Sequence, residues 1–166
     1  TTLMTPFILQ RLYGFEPQDA LALSAFGAPF LCLGGLFAGV MSDRLGIGWY
    51  LILASLPFGA ANLLCYGNLG PDIGYIHLSF AMASFFNGLV GVNPCIMVRA
   101  FPSNVRYSGI SLGYNITFAV SGGLTPLAMG SLFATYPMAH VYYLLMIGAA
   151  IALLGGYITW RPGSVR

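Results

Sequence analysis

Charge is what this 166-residue chain has least of. Charged residues make up 6% of it, against roughly a quarter in an ordinary soluble domain. Lysine is absent, the six basic residues are all arginines, and the net charge is +2. That leaves no basic footprint for a nucleic acid, so none is expected as a partner. Cysteine is also sparse: Cys32, Cys65 and Cys95 fall in separate apolar runs without a C-x-x-C. This argues against a disulfide framework or a thiolate metal site, and the three read as small packing residues. No H-E-x-x-H or nucleophile–base set lies in the apolar runs, so neither an enzyme nor a cofactor is implied. The four acids, Glu16, Asp19, Asp43 and Asp72, all lie at run ends or in turns. A proton relay inside a membrane normally needs a titratable group at depth. Any such carboxylate is therefore expected from sequence beyond this chain, which begins on Thr1 and reads as the back part of a longer protein.

What is present is apolar sequence. Hydrophobic residues reach 58% and the mean hydropathy is +0.82. The chain is expected to be an all-α integral membrane protein with the lipid bilayer as its surroundings. About 20 residues cross a bilayer as a helix. Full spans are predicted at about 20–41, 47–68, 74–98, 107–135 and 139–160, preceded by a partial helix at 1–13. Pro17 and Asp19 suit a helix start, where proline loses nothing and a carboxylate meets the positive end of the dipole. Strict alternation puts Arg44, Arg99, Arg106, Arg161 and Arg166 on one side and Arg11 alone on the other. Arginine excess marks the cytoplasm, so the C-terminus is expected inside. Trp49-Tyr50 and Trp160 fall where interfacial aromatic belts form. His77 and His140 read as interfacial polar residues.

Twenty-two glycines and ten prolines punctuate these runs. Gly35 and Gly39, and again Gly109 and Gly113, have the small-xxx-small spacing that lets helix backbones approach. In the fourth span, Tyr114-Asn115-Ile116-Thr117 precedes Ser121-Gly122-Gly123-Leu124-Thr125-Pro126. The glycine pair and proline predict either a broken helix of the kind that builds a transporter's binding site or a kinked packing helix. In the third span Phe80, Ser84, Asn87, Gly91 and Pro94 share one face. Asn87 is expected inside the bundle, bonded to another helix or touching a substrate, and Asn62 is read as structural. Tyr114, Phe118, Phe85 and Phe86 could cage a cation, and no arginine lies at mid-span to take a carboxylate, so a zwitterion or cation is favoured.

Three stretches resemble the C-terminal half of a major facilitator superfamily transporter. Gly39-Val-Met-Ser-Asp43-Arg44-Leu-Gly46 is similar to the family's G-x-x-x-D-R-x-G loop. Phe101-Pro102-Ser-Asn-Val-Arg106-Tyr-Ser-Gly109 is similar to its F-P-T-x-x-R-x-x-G loop. The third stretch, from Tyr114-Asn115-Ile116 to Gly122-Gly123-Leu-Thr-Pro126, resembles the Y-N-I…G-G-x-x-P helix of the metabolite:proton symporter branch. The resemblance implies a twelve-helix carrier of the bacterial inner membrane, its solute bound between two halves, of which the N-terminal one is missing here. It implies a small organic solute and a proton as partners. It also implies a cytoplasmic gate containing Asp43, Arg44 and Arg106, and makes Asn87, Tyr114, Asn115, Ser121, Gly122 and Gly123 candidates for the cavity. The chain departs from the pattern twice. Gly46-Ile47-Gly48 stands where G-R-[RK] is usual, and Arg99 stands where a glutamate is usual. A pair between Arg99 and Asp43 is the expected compensation. The alternative to transport is a non-transporting membrane module, either a sensor or a degenerate carrier.

Overall fold

The computed structural model describes residues 9–10, 14–67, 73–132 and 139–160. Most of the partial helix at 1–13, the turn at Gly70–Asp72, the stop at Tyr136–Pro137, and Arg11, Arg161 and Arg166 lie outside the described residues, as does the His140 side chain.

Helix α1, Pro17–Leu45, starts on a proline that needs no intrahelical donor and carries Asp19 in its first turn and Arg44 in its last. It stops at Gly46, whose φ of +83° lies in the left-handed region that residues with a Cβ rarely enter. Helix α2, Ile47–Gly67, follows at once, and the Tyr50 N–H donates to the Gly46 carbonyl at 3.0 Å. Next come α3, Ile73–Asn87, a 3₁₀ segment, Gly88–Val92, and α4, Asn93–Ala100. Helix α5, Arg106–Leu132, and helix α6, Ala139–Trp160, complete the described chain.

Among the described residues there is no strand. Among the described residues four helical stretches are long and apolar enough to cross a membrane: Pro17–Leu45, Ile47–Gly67, Tyr75–Ala100 and Val141–Trp160. Helix α5, the predicted fourth full span, is not among them. It is long enough at 27 residues, but Asn115, Thr117, Ser121, Gly122, Gly123, Thr125 and Pro126 dilute its apolar character.

The expected weak point is also in a different place. Helix α5 runs unbroken through Ser121–Pro126. The interruption falls instead in the third apolar stretch, where five residues, Gly88–Val92, wind as a 3₁₀ helix. Pro94 explains it locally. It has no N–H to offer the Val90 carbonyl, which takes the Asn93 N–H instead, one residue early. A 3₁₀ turn holds three residues rather than 3.6, so the stripe of side chains loses its phase there. Phe80, Ser84 and Asn87 are buried, whereas Gly91 and Pro94, predicted for the same face, are exposed.

Glycine sets where the helices touch. A Cβ on Gly34 would run into the Phe85 carbonyl, and one on Gly88 would lie 2.7 Å from the Gly34 Cα. Helices α1 and α3 therefore meet backbone to backbone beside the 3₁₀ segment. Lower in the same contact, Gly27 leaves room for Phe80 and Ser84. The predicted Gly35–Gly39 pairing holds only in part: Gly35 faces Gly91, but nothing lies within 4 Å of where a Gly39 Cβ would be. Gly113 is equally open, and Gly109 lies under the Phe101 ring rather than against another helix. A second close approach, unforeseen from spacing, joins α2 to α6. A Cβ on Gly155 would stand 2.8 Å from the Gly48 oxygen and 2.9 Å from the Leu51 Cβ.

Two buried clusters fill the bundle. One gathers Leu9, Leu23, Cys65, Tyr66, Phe80, Val141 and Leu144, and the other gathers Ala38, Tyr50, Leu51, Phe58, Leu89 and Val92. Phe86 and Ile147 pack against both and join them. Asn62 keeps its structural reading. It is 1% exposed and its Nδ2 donates to the Phe58 carbonyl at 2.8 Å.

Candidate functional site

The loop before α5 is built by proline chemistry. Phe101, immediately before Pro102, has φ −107° and ψ 134°, the extended conformation that a following proline imposes. The chain then turns, with the Val105 N–H donating to the Pro102 carbonyl at 3.2 Å. Arg106 opens α5 and its Nε donates to the Phe101 carbonyl at 3.1 Å, while the Phe101 ring covers Gly109. The first arginine of the helix thus holds its own entry loop.

The other three charged candidates do not gather around it. Asp43 and Arg44 are exposed in the last turn of α1, and Arg99 is exposed near the end of α4. Arg99 borders a cavity of about 310 Å³ whose other walls are Gly46–Trp49, Ile158 and Thr159. The two departures from the family pattern, Gly46–Gly48 and Arg99, are therefore neighbours in space. The expected Arg99–Asp43 ion pair is not formed among the described residues.

Helix α5 carries the remaining candidates except Asn87, and up to Leu124 it is little covered by the other described residues. From Ser111 to Leu124 every residue except half-buried Gly113 is exposed. Tyr114 and Phe118, one turn apart, stack with ring centroids 4.7 Å apart and planes inclined at 29°. Asn115 points back along the same helix, its Nδ2 3.5 Å from the Ser111 Oγ. Ser121, Gly122 and Gly123 are exposed, and added Cβ atoms on the two glycines would meet nothing within 4 Å. A side-chain hydrogen bond ties this helix to α6, between the Thr125 and Tyr143 hydroxyls at 3.3 Å.

The other aromatic pair is elsewhere. Phe85 packs edge-on to Phe86 at 5.4 Å and tilted to Phe37 at 5.6 Å, against α1. Among the described residues no ring contact links it to Tyr114 or Phe118, so the four rings do not form one cage. Asn87 is buried where α3 gives way to the 3₁₀ segment, and its side chain caps neither. The hydrogen bond to another helix expected for it is not made among the described residues. Sequence reasoning missed Ser111 and the Thr125–Tyr143 link. Ser111 lies one turn before Asn115 on the same face, a spacing that could have flagged it.

The described residues thus form a multi-pass helical membrane protein with a polar, aromatic-bearing helix on its uncovered side. Over 163 residues, 93% of its length, the chain is 27% identical to a proline/betaine transporter of Salmonella typhimurium, of which it covers 31%. It is 28% identical over 163 residues to the glycine betaine/proline/ectoine/pipecolic acid transporter OusA of Dickeya dadantii, again covering 31%. Against an ectoine/proline transporter of Corynebacterium glutamicum it is 30% identical over 129 residues, 74% of this chain and 25% of the relative. No family model and no solved structure matches. The chain is thus similar, over most of its length, to proline/betaine transporters, and it spans about a third of the length of these relatives. Their names are those of transporters, not enzymes.

Proposed function

We propose that the full-length protein moves a small zwitterionic solute of the betaine/proline kind across the bacterial inner membrane by proton symport and alternating access. In this reading the chain is the C-terminal half of a twelve-helix major facilitator carrier, its C-terminus cytoplasmic, and the missing N-terminal half supplies the opposite wall. The observation that carries the proposal is the uncovered face of α5. It combines a stacked Tyr114–Phe118 pair with Asn115 and Ser121, on a chain similar to betaine transporters. Aromatic faces attract a quaternary or secondary ammonium by about 0.5–2 kcal/mol each, while amide and hydroxyl groups offer donors to its carboxylate. Exposed backbone around Gly122–Gly123 lets the solute come close.

Asp43, Arg44, Arg99 and Arg106 act at the cytoplasmic ends of their helices as the gate. With Asp43 and Arg99 unpaired in the conformation described, their pairing belongs to the other side of the transport cycle. The proton-carrying carboxylate comes from the other half. Uptake of labelled betaine, proline and a dicarboxylate by the full-length protein in liposomes tests the proposal, with and without an inward proton gradient. Betaine or proline uptake is expected to rise at least tenfold with the gradient, and dicarboxylate uptake to stay at background. Failure to take up any of the three, by protein shown to be folded, would favour the non-transporting alternative.

A further inference from the structure

We infer that Tyr143 is a two-position latch on α5. Its hydroxyl bonds Thr125 of α5 in the conformation described, and donates to the Asn62 Oδ1 of α2 when α5 stands away. Asn62 is where the second position shows. Its Oδ1 is the one fully buried side-chain oxygen or nitrogen without a hydrogen-bond partner among the described residues. Leaving such an acceptor unpaired is costly. The amide cannot turn to find a partner, because its Nδ2 already donates to the Phe58 carbonyl at 2.8 Å. Of the buried hydroxyls on α2 and α3, Ser55 and Ser79 donate to the carbonyls of Ile52 and Ile76 at 2.7 and 3.1 Å. Ser84 lies against Gly27 of α1.

Tyr143 is the donor at the right level. Helices α2 and α6 pack antiparallel: Gly48 meets Gly155 and Thr159, Phe58 meets Gly148, and Gly59 meets Leu145. Carried one turn further, that register sets Asn62 level with residues 142–144. Of these, Tyr142 is exposed, Leu144 belongs to the buried cluster with Ala61 and Cys65, and Tyr143 packs against that cluster. The Tyr143 side chain is half-buried, and its hydroxyl stands 3.3 Å from the Thr125 Oγ1. That is longer than the about 2.5–3.0 Å of a good O–H···O bond, so the bond is weak enough to exchange for one to a buried amide oxygen. It is also the side-chain hydrogen bond that ties α5 to α6, while at the start of α5 Arg106 bonds its own entry loop. A change of Tyr143 rotamer would release α5 and satisfy Asn62 together. The latch rests on the transport cycle proposed above for the movement of α5, and on no particular solute.

The test measures where α5 stands in the full-length protein in nanodiscs, without solute or proton gradient. Native cysteines are replaced, and spin labels are placed on Leu112→Cys of α5 and Leu56→Cys of α2, both largely exposed positions. Pulsed electron–electron double resonance then gives the populations of two label separations, one with α5 held and one with α5 away. Thr125→Val should raise the ratio of away to held about fivefold, and Asn62→Leu should lower it about fivefold, the change one hydrogen bond supplies. Tyr143→Phe removes both bonds, so neither substitution should shift the ratio in its background. Should Asn62→Leu misfold, Asn62→Ala removes the same acceptor. A single separation in every protein overturns the proposal. So does an unchanged ratio on losing the Asn62 acceptor, or shifts of the same size in the Tyr143→Phe background. Because no solute is present, two separations that respond as expected uphold the latch even where betaine uptake fails.

Discussion

Gly34→Leu is expected to abolish the folded bundle, with loss of the monodisperse peak in detergent and about 3 kcal/mol or more of destabilisation. The reason is what surrounds the glycine. Its missing Cβ faces the carbonyl and backbone carbons of Phe85, and across the contact Gly88 faces Gly34 itself. A side chain in the way can rotate aside, whereas two helical backbones can only separate. Separation would open the α1–α3 contact and the 3₁₀ segment seated on it. Gly39→Leu, five residues along the same helix, is the control. Nothing lies within 4 Å of its Cβ position, so thermal stability in detergent should change by less than about 0.5 kcal/mol, as for ordinary surface substitutions. Equal effects of the two substitutions would mean that this helix crossing is misplaced.

The second large effect concerns transport. Tyr114→Ala or Phe118→Ala in the full-length carrier is expected to raise the KM for betaine about tenfold. Losing one cation–π partner worth about 1–2 kcal/mol does this, since 1.4 kcal/mol is a factor of ten. The double substitution should be worse still. Tyr114→Phe keeps the aromatic face and should stay within about twofold of the parent. Both rings are largely exposed, at 47% and 58%, so neither alanine should lower the melting temperature appreciably. A fall in stability without a change in KM would instead make the stacked pair a packing element.

How much of this was legible beforehand depended on whether a signal was local. The all-helical membrane character followed from the length of the apolar runs. The loop around Pro102 followed from a residue whose backbone preference acts on its own neighbour, whereas the first full span, expected to end at about 41, runs on to Leu45 before Gly46 turns the chain. The break in the third apolar stretch was harder. Pro94 and Pro126 look alike in sequence, but only at Pro94 does the chain rewind, with the carbonyl left over by the proline taken by the Asn93 N–H. Which of Gly34, Gly35 and Gly39 touches a neighbour depends on the phase and angle of a helix crossing, and spacing within one helix does not contain that. The Arg99–Asp43 pair had complementary charge in its favour. Yet Arg99 borders the Gly46–Trp49 turn, and long side chains at helix ends are placed by the packing of whole helices. The polar residues of α5 were recognised individually, but their common exposure required knowing which elements leave that helix uncovered.

The central claim is that the uncovered face of α5 lines the solute path. The direct measurement is the reactivity of Asn115→Cys, in full-length protein with its native cysteines replaced, toward a membrane-impermeant methanethiosulfonate. The residue is expected to react, and saturating betaine to slow that reaction at least threefold. Reaction only with a lipid-soluble maleimide, unaffected by betaine, would put this face against lipid and contradict the claim.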